Sequence, residues 1–179
     1  NANFIVLASW LYEWFPNIPF WYPQQGAGVS FTTFYPILNH LIVVVIAKVF
    51  ALPIAVAFRY YALISVILTS LGIYILAVRF TRNQTVAALA SIFYPLSSIA
   101  WIFLLGWGFF AEQASYVFVA PAIVFFELYL SGIYENKSTF TNRLFFLLFL
   151  LFSVLSLLAH PLAFIGLIVL LVPFFIIYP

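Results

Sequence analysis

Long apolar stretches with few charged residues dominate this chain. A helix needs roughly 20 mainly apolar residues to cross a bilayer, and runs of roughly 10 to 14 are more often interfacial, re-entrant or buried. Hydrophobic residues make up 67% of the chain and charged residues 6%, far from the composition of soluble domains. We therefore predict an all-α, polytopic integral membrane protein of the cell membrane. The five predicted transmembrane helices are residues 55–78, 85–105, 113–130, 144–159 and 162–178.

The first 54 residues differ from this pattern. Residues 3–15 mix aromatic and aliphatic side chains and end at Pro16, which predicts a short interfacial helix. Prolines and glycines in residues 16–36 forbid a continuous helix and indicate an ordered loop. Residues 37–52 contain a lysine and only a short uncharged stretch, which favours an interfacial or re-entrant segment over a span. We expect residues 1–54 to form an external loop and residues 55–179 to form one transmembrane bundle.

Two features of the sequence predict that it belongs to a longer or processed protein. It contains no Met, and it begins at Asn1 without the basic segment and cleavage pattern of an intact secretory signal. We therefore expect further sequence upstream of Asn1.

The distribution of basic residues predicts the orientation, because short cytoplasmic loops are enriched in Lys and Arg. Four basic residues fall on one side of the predicted bundle: Arg79, Arg82, Lys137 and Arg143. Lys48 and Arg59 fall on the other, so we place the larger set in the cytoplasm. The external face then gathers Arg59, the loop at 99–112 and the turn at His160. If residues 37–52 do not span, residues 1–36 join this face; if they do, residues 1–36 are cytoplasmic.

Composition excludes several classes of chemistry. The chain contains no Cys, which rules out disulfides, thiolate catalysis and Cys-ligated metals. A net charge of +2, scattered along the chain, does not make a nucleic-acid surface or a polybasic lipid patch. The sequence has no Asp, no Ser-His-Asp arrangement, no phosphate-binding glycine loop and no dense His cluster. The residues alone therefore do not identify an enzyme.

Glu112 and His160 are the candidate catalytic residues. Glu112 stands at the predicted external mouth of the third span, where a carboxylate can act as a base, a metal ligand or a hydroxyl acceptor. The alternative is a helix N-terminal Glu stabilised by the macrodipole. His160 separates two apolar helices on the same face and can position a carboxylate, bind a phosphate or act as an acid. The alternative is a His that satisfies helix-end carbonyls beside Pro161.

Arg59 and Lys48 are the candidate phosphate-binding residues, since both are cations at the external headgroup level. Contact of these long side chains with lipid headgroups explains them equally, and is the default interpretation for Lys48. Glu127 lies near the inner end of its span, which predicts an ion pair with an Arg on the cytoplasmic side. His40, beside Asn39, is predicted to cap a helix or lie at the interface.

Several aromatic, proline and glycine landmarks occur in a fixed order. They are WFPNIPFWYPQQGAGVSFTTFYPIL, ILAVRF, FYPLSS, GWGFFAEQASYVFVAP and LLAHPLAFIG. Over nearly the whole chain this order resembles the YfhO-like and related branches of the GT-C superfamily, which are polyprenyl-phosphate-sugar-dependent glycosyltransferases and oligosaccharyltransferases. The most specific elements are the G-x-x-x-E spacing at residues 108–112 and the turn at His160.

The resemblance implies an external first loop with membrane-parallel helices, and an acidic residue in the second external loop, where Glu112 stands. It also implies a catalytic Asp at the start of the first external loop, where this chain has Asn1 or sequence upstream of it. Either that Asp precedes Asn1 or the protein is a non-catalytic relative.

The leading hypothesis is a membrane glycosyltransferase that moves a sugar from a polyprenyl phosphate donor on the external face. Arg59 and Lys48 would hold the donor phosphate, and Glu112 would bind an acceptor hydroxyl or a divalent metal ion. His160 would orient the group or donate a proton. The alternative from another class is a non-catalytic integral membrane subunit or scaffold, with other membrane subunits as partners. A transporter ranks last, because the span centres offer only Ser65, Thr69, Ser153 and Ser156.

Overall fold

The computed structural model describes residues 2–18, 21–22, 29–30, 37–97, 110–135 and 138–177. The regular secondary structure of this part of the chain consists of helices and one pair of two-residue strands. The helices are α1 (Ala2–Trp14), α2 (Leu38–Val49), α3 (Ile54–Thr81), α4 (Gln84–Leu96), α5 (Phe110–Tyr134), α6 (Thr139–Ala159) and α7 (Pro161–Ile177). The strands are β1 (Trp21–Tyr22) and β2 (Val29–Ser30), which pair antiparallel.

Three helices are long and apolar enough to cross a membrane. They are α3 with 28 residues, α5 with 25 and α6 with 21. These confirm the first, third and fourth predicted spans and support a membrane protein. The shorter apolar helices α4 and α7 have 13 and 17 residues, and they begin at the second and fifth predicted spans. Residues 98–105 of the second predicted span lie outside the described residues.

The two helices predicted before the bundle are both present. α1 covers the interfacial helix expected at residues 3–15. α2 has 12 residues and rises about 18 Å, well short of the roughly 30 Å of a bilayer's hydrocarbon core. Its length therefore agrees with the prediction that residues 37–52 do not span. The strand pair lies within the predicted loop at residues 16–36 and was not anticipated.

The turn between α3 and α4 is built by local backbone chemistry. Arg82 ends α3 in the left-handed region at φ 53°. The side chain of Asn83 then accepts hydrogen bonds from the backbone N–H groups of Thr85 at 2.9 Å and Val86 at 3.2 Å, which satisfies the first free donors of α4. Asn83 is thus the N-cap of α4.

The helix α3 divides into a packed face and an exposed apolar face. The packed face recurs every three or four residues, as helix geometry requires; its members include Phe58, Tyr61, Ala62, Ser65, Val66, Thr69 and Gly72. Gly72 allows α5 to approach closely, because a Cβ on Gly72 would lie 2.5 Å from the Cβ of Ala120. The opposite face exposes Leu63, Ile67 and Leu71. Such a helix, apolar on every side, suits a membrane span.

The bundle has two polar ends. At one end, which we name the Glu112 end, Phe4 of α1 packs on Phe110 with ring centroids 4.8 Å apart, and α6 meets α7 at His160. At the other, the Glu127 end, Arg79 forms a salt bridge with Glu127. The rise along α3 from Arg59 to Arg79 is about 30 Å, which equals the thickness of the hydrocarbon core. The aromatic first helix, the start of α5 and the His160 junction therefore share one end.

Candidate functional site

A buried asparagine joins four helices at the Glu112 end. Asn39 of α2 is fully buried, and its Nδ2 donates to the carbonyl of Ala111 in α5 at 2.7 Å and to that of Ala159 in α6 at 3.1 Å. Its Oδ1 accepts a hydrogen bond from the hydroxyl of Tyr61 in α3 at 2.6 Å. Ser115 Oγ also lies 3.2 Å from Nδ2. Two carbonyls can only accept, so the atom that faces them must be the amide nitrogen.

The prediction that His40 caps a helix was wrong, and no role was predicted for Asn39. The N-cap position of α2 is Ile37, and it makes no side-chain cap hydrogen bond. Asn39 and His40 are instead fully buried, and the His40 ring stacks on Phe4 at 3.8 Å between centroids. Helical periodicity could have predicted that Asn39 and His40 are buried, because they share one face of α2 with Val43, Val44 and Ala47.

Glu112 lies in the first turn of α5. It is half-buried, and its Oε1 accepts a hydrogen bond from the hydroxyl of Tyr116, one turn further along, at 3.2 Å. The adjacent Gln113 is buried and its amide donates to the hydroxyl of Tyr94 in α4. A carboxylate in a first turn also interacts favourably with the helix dipole. The structure thus gives Glu112 the predicted helix-terminal position and a phenol as partner.

His160 forms the junction between α6 and α7. Its backbone N–H donates to the carbonyl of Ser156, and its own carbonyl accepts from the N–H groups of Ala163 and Phe164. Its Nδ1 accepts from the backbone N–H of Leu162 at 3.3 Å. The side chain therefore satisfies a helix-start donor, rather than the helix-end carbonyls expected from the sequence. Because Nδ1 is an acceptor, the proton of the neutral ring is on Nε2.

Glu112 and His160 lie close enough to influence each other electrostatically. Burial lowers the pKa of His160 below its ordinary value, and the nearby Glu112 carboxylate opposes this by raising the pKa. The first effect is the larger, so the imidazole is neutral at pH 7. A neutral imidazole with its N–H on Nε2 is a hydrogen-bond donor, and Glu112 is an acceptor.

The predicted phosphate-binding cations lie apart from this pair. Arg59 is exposed and lies on a side of α3 away from the packed face that holds Tyr61. Lys48 is also exposed, and its Nζ lies 4.5 Å from the centroid of the Tyr12 ring and 5.8 Å from that of Phe15. Within the described residues, no hydrogen bond or salt bridge joins either cation to Glu112 or His160. The phosphate role of Arg59 and Lys48 stays a prediction.

The described residues do not assemble a metal site around Glu112. A divalent cation needs several oxygen or nitrogen ligands, and no group of three or more His and acidic side chains occurs among the described residues.

The predicted ion pair of Glu127 is confirmed. Arg79 Nε donates to Glu127 Oε2 at 2.8 Å, and Nη2 contacts the same oxygen. The two side chains are 34% and 16% exposed. A carboxylate within an apolar span requires such a partner, and here the partner comes from the end of the neighbouring span.

Comparison with protein-family models, with curated proteins and with solved structures finds no match to this chain.

Proposed function

We propose that this chain is the membrane-embedded module of a glycosyltransferase that takes its sugar from a polyprenyl phosphate donor at the external face. The observation that supports the proposal most is the position of Glu112, a hydrogen-bond acceptor, and His160, a neutral donor, at one polar end of an apolar bundle, where Asn39 Nδ2 donates to the carbonyls of the residues that precede them. A lipid-linked donor keeps its tail in the hydrocarbon and its phosphate in the headgroup layer. Group transfer from such a donor therefore needs a site at the end of the bundle, at the depth of the headgroups.

The proposed architecture is a five-span protein of the cell membrane. It adds α4 and α7 to the three longer spans. α7 has 17 residues and rises about 26 Å, close to the hydrocarbon thickness. α4 begins the second predicted crossing. The Glu112 end is external in this proposal, since Arg79, Arg82 and Arg143 lie towards the opposite end of their helices.

The proposed reaction exchanges one bond to the sugar for another. The bond between the anomeric carbon and the phosphate oxygen breaks, and a bond from that carbon to an acceptor hydroxyl oxygen forms. The hydroxyl proton passes to a carboxylate, a role that Glu112 supplies within the described residues. The N–H on His160 Nε2 donates a hydrogen bond to the departing phosphate oxygen, which stabilises its developing charge. Polyprenyl phosphate is the other product.

Arg59 has a separate part in this proposal. It stands two residues before Tyr61, whose hydroxyl bonds to Asn39, so it lies at nearly the same depth as the Glu112 end. It is exposed on the side of the bundle that lipid reaches. A guanidinium there attracts the phosphate of a donor that approaches from the bilayer. Lys48, which lies against Tyr12, contacts headgroups in this scheme.

Donor turnover in membranes that contain the full-length protein tests the proposal. A polyprenyl phosphate donor with a radiolabelled sugar is added, and the release of polyprenyl phosphate is measured. Glu112→Gln keeps the side-chain polarity and removes the base, and His160→Phe keeps a planar ring and removes the Nε2–H donor. We expect each to slow turnover by about 100-fold or more. Glu135→Gln is the matched control, because it neutralises an exposed carboxylate near the Glu127 end, and it keeps full turnover.

Turnover by Glu112→Gln at the wild-type rate would contradict the proposed catalytic pair. A wild-type protein that turns over no polyprenyl phosphate donor would instead favour the non-catalytic membrane subunit.

A further inference from the structure

We propose that Asn39 is the positioning residue that holds Glu112 and His160 at their working separation, by tying together the backbone carbonyls that immediately precede them. This inference rests on the proposed function for its meaning, since the pair it positions is the proposed catalytic pair. Its test below measures the pair directly and does not depend on turnover.

The geometry of the Asn39 contacts carries the argument. Ala111 is the residue before Glu112, and Ala159 is the residue before His160. One amide nitrogen donates to both carbonyls, at 2.7 Å and 3.1 Å. The carbonyls belong to different helices and lie 48 positions apart in the chain, so this nitrogen is a direct bridge between the two backbones. A shift of either helix end would break one of the two bonds.

The oxygen of the Asn39 amide is also hydrogen-bonded. The hydroxyl of Tyr61 donates to Asn39 Oδ1 at 2.6 Å, and this bond would be lost if the amide rotated by half a turn. Both alanines, and Asn39 itself, are almost wholly buried. Hydrogen bonds that are buried in this way are stronger than those in water, and their loss leaves polar groups without solvent.

The chemistry of the bridge requires an amide at this position. Two hydrogens on one nitrogen can serve two carbonyls while the oxygen accepts from Tyr61. Leucine has the same branched arrangement of side-chain heavy atoms as asparagine and is larger, but it has neither donor nor acceptor. Aspartate keeps the shape and the acceptor, and when protonated it supplies one donor hydrogen in place of two. Position 39 therefore offers a graded series with two, one and no donor hydrogens.

The experiment measures the electrostatic coupling between Glu112 and His160 in the full-length protein in detergent. Coupling is defined as the change in the His160 pKa caused by Glu112→Gln, read from the histidine ring signals by NMR titration. The signal that is lost in His160→Gln is assigned to the His160 ring. The coupling is determined in four backgrounds: wild type, Asn39→Leu, Asn39→Asp and Tyr61→Phe.

In the wild type, Glu112→Gln lowers the His160 pKa, because it removes a carboxylate that raises it. Coulomb energy falls as the inverse of distance, so we expect the larger Glu112–His160 separation in Asn39→Leu to reduce the coupling, to about half if the separation doubles. Asn39→Asp gives an intermediate coupling. Tyr61→Phe is the matched control: it removes one hydrogen bond from the same buried cluster but leaves both carbonyl bonds, and it retains most of the coupling.

Two results would overturn the inference. One is a coupling in Asn39→Leu that equals the wild-type value. The other is a loss in Tyr61→Phe as large as that in Asn39→Leu, which would mean that packing of the cluster, rather than the carbonyl bridge, sets the separation. If Asn39→Leu does not give a folded monodisperse protein, Asn39→Asp provides the same comparison. Because no donor turnover is measured, this outcome is independent of the proposed transferase activity.

Discussion

A side chain added at Gly72 tests the close approach of α3 and α5, on which the arrangement at the Glu112 end depends. In Gly72→Ala the new Cβ would lie 2.5 Å from the Cβ of Ala120. Carbon atoms in favourable contact are about 3.5 to 4.0 Å apart. The two helices must therefore separate by about 1 Å or more, against the packing of both faces.

The magnitude follows from two opposing terms. Overpacking of a close contact costs about 1 to 3 kcal/mol. Replacement of Gly by Ala inside a helix returns at most about 1 kcal/mol through helix propensity. We expect Gly72→Ala to destabilise the protein by about 1 kcal/mol relative to the wild type, and by about 1 to 3 kcal/mol relative to a Gly→Ala change that meets no clash.

Gly166 provides the matched control in α7. A Cβ built there meets nothing within 4 Å, so Gly166→Ala receives the propensity gain without the clash. The assay is reversible unfolding in mixed micelles at increasing SDS, followed by circular dichroism. Gly166→Ala is expected to unfold at or above the wild-type SDS fraction, and Gly72→Ala below it.

A double substitution separates steric clash from other effects. In Gly72→Ala with Ala120→Gly the methyl group has moved from one helix to the other, and the clash is relieved. The double variant should be more stable than the sum of the two single changes predicts. Additive effects, or a Gly72→Ala protein as stable as Gly166→Ala, would refute the close helix contact.

Three further predictions concern the rest of the bundle. Arg79→Gln leaves the Glu127 carboxylate in an apolar span without its partner, so it should lower the SDS fraction at which the protein unfolds. The same substitution should have a smaller effect in a protein that already carries Glu127→Gln. Equal losses in the two backgrounds would argue against the ion pair. Burial lowers the pKa of His160 in the folded protein below the ordinary 6.5, so the unfolded chain binds this proton more readily. Thermal stability should therefore fall as the pH drops below 6.5. His160→Gln should flatten this pH dependence of stability, and an unchanged slope would contradict the assignment. Asn83→Ala removes the α4 cap and should cost about 1 kcal/mol, measured by the same SDS unfolding, whereas the exposed Gln84→Ala next to it should cost little.

The spans and the Glu127 ion pair were predictable because one physical term dominates each. The cost of exposing backbone polar groups to lipid forces a long apolar stretch into a helix, so residues 55–78 predicted most of Ile54–Thr81. A carboxylate inside such a stretch needs a cation at its own depth. That requirement pointed from Glu127 to an Arg on the same side before any packing was known.

The meeting of Glu112 and His160 was only partly predictable. The sequence placed both on one face, through the positive-inside rule. Their proximity follows from the short turn between α5, which ends at Tyr134, and α6, which begins at Thr139. Glu112 and His160 stand at nearly equal distances along the chain from this turn, so an antiparallel pair of helices brings them level.

The role of Asn39 was not predictable from apolar length alone. No role was predicted for Asn39. The burial of Asn39 depends on three other helices that arrive from distant parts of the sequence, two of which present a backbone carbonyl to it. Backbone carbonyls carry no sequence signal, so side-chain patterns could not reveal the bridge.

The most direct test of the central claim is the accessibility of single cysteines to a membrane-impermeant maleimide in intact cells. This chain contains no Cys, so Glu112→Cys, His160→Cys and Arg82→Cys each introduce one thiol into it, and the protein without these substitutions gives the labelling background. We predict that the first two react from outside the cell, while Arg82→Cys reacts only after the membrane is permeabilised. Labelling of Glu112→Cys and His160→Cys from opposite sides, or of Arg82→Cys from the same side as either, would contradict a shared external site.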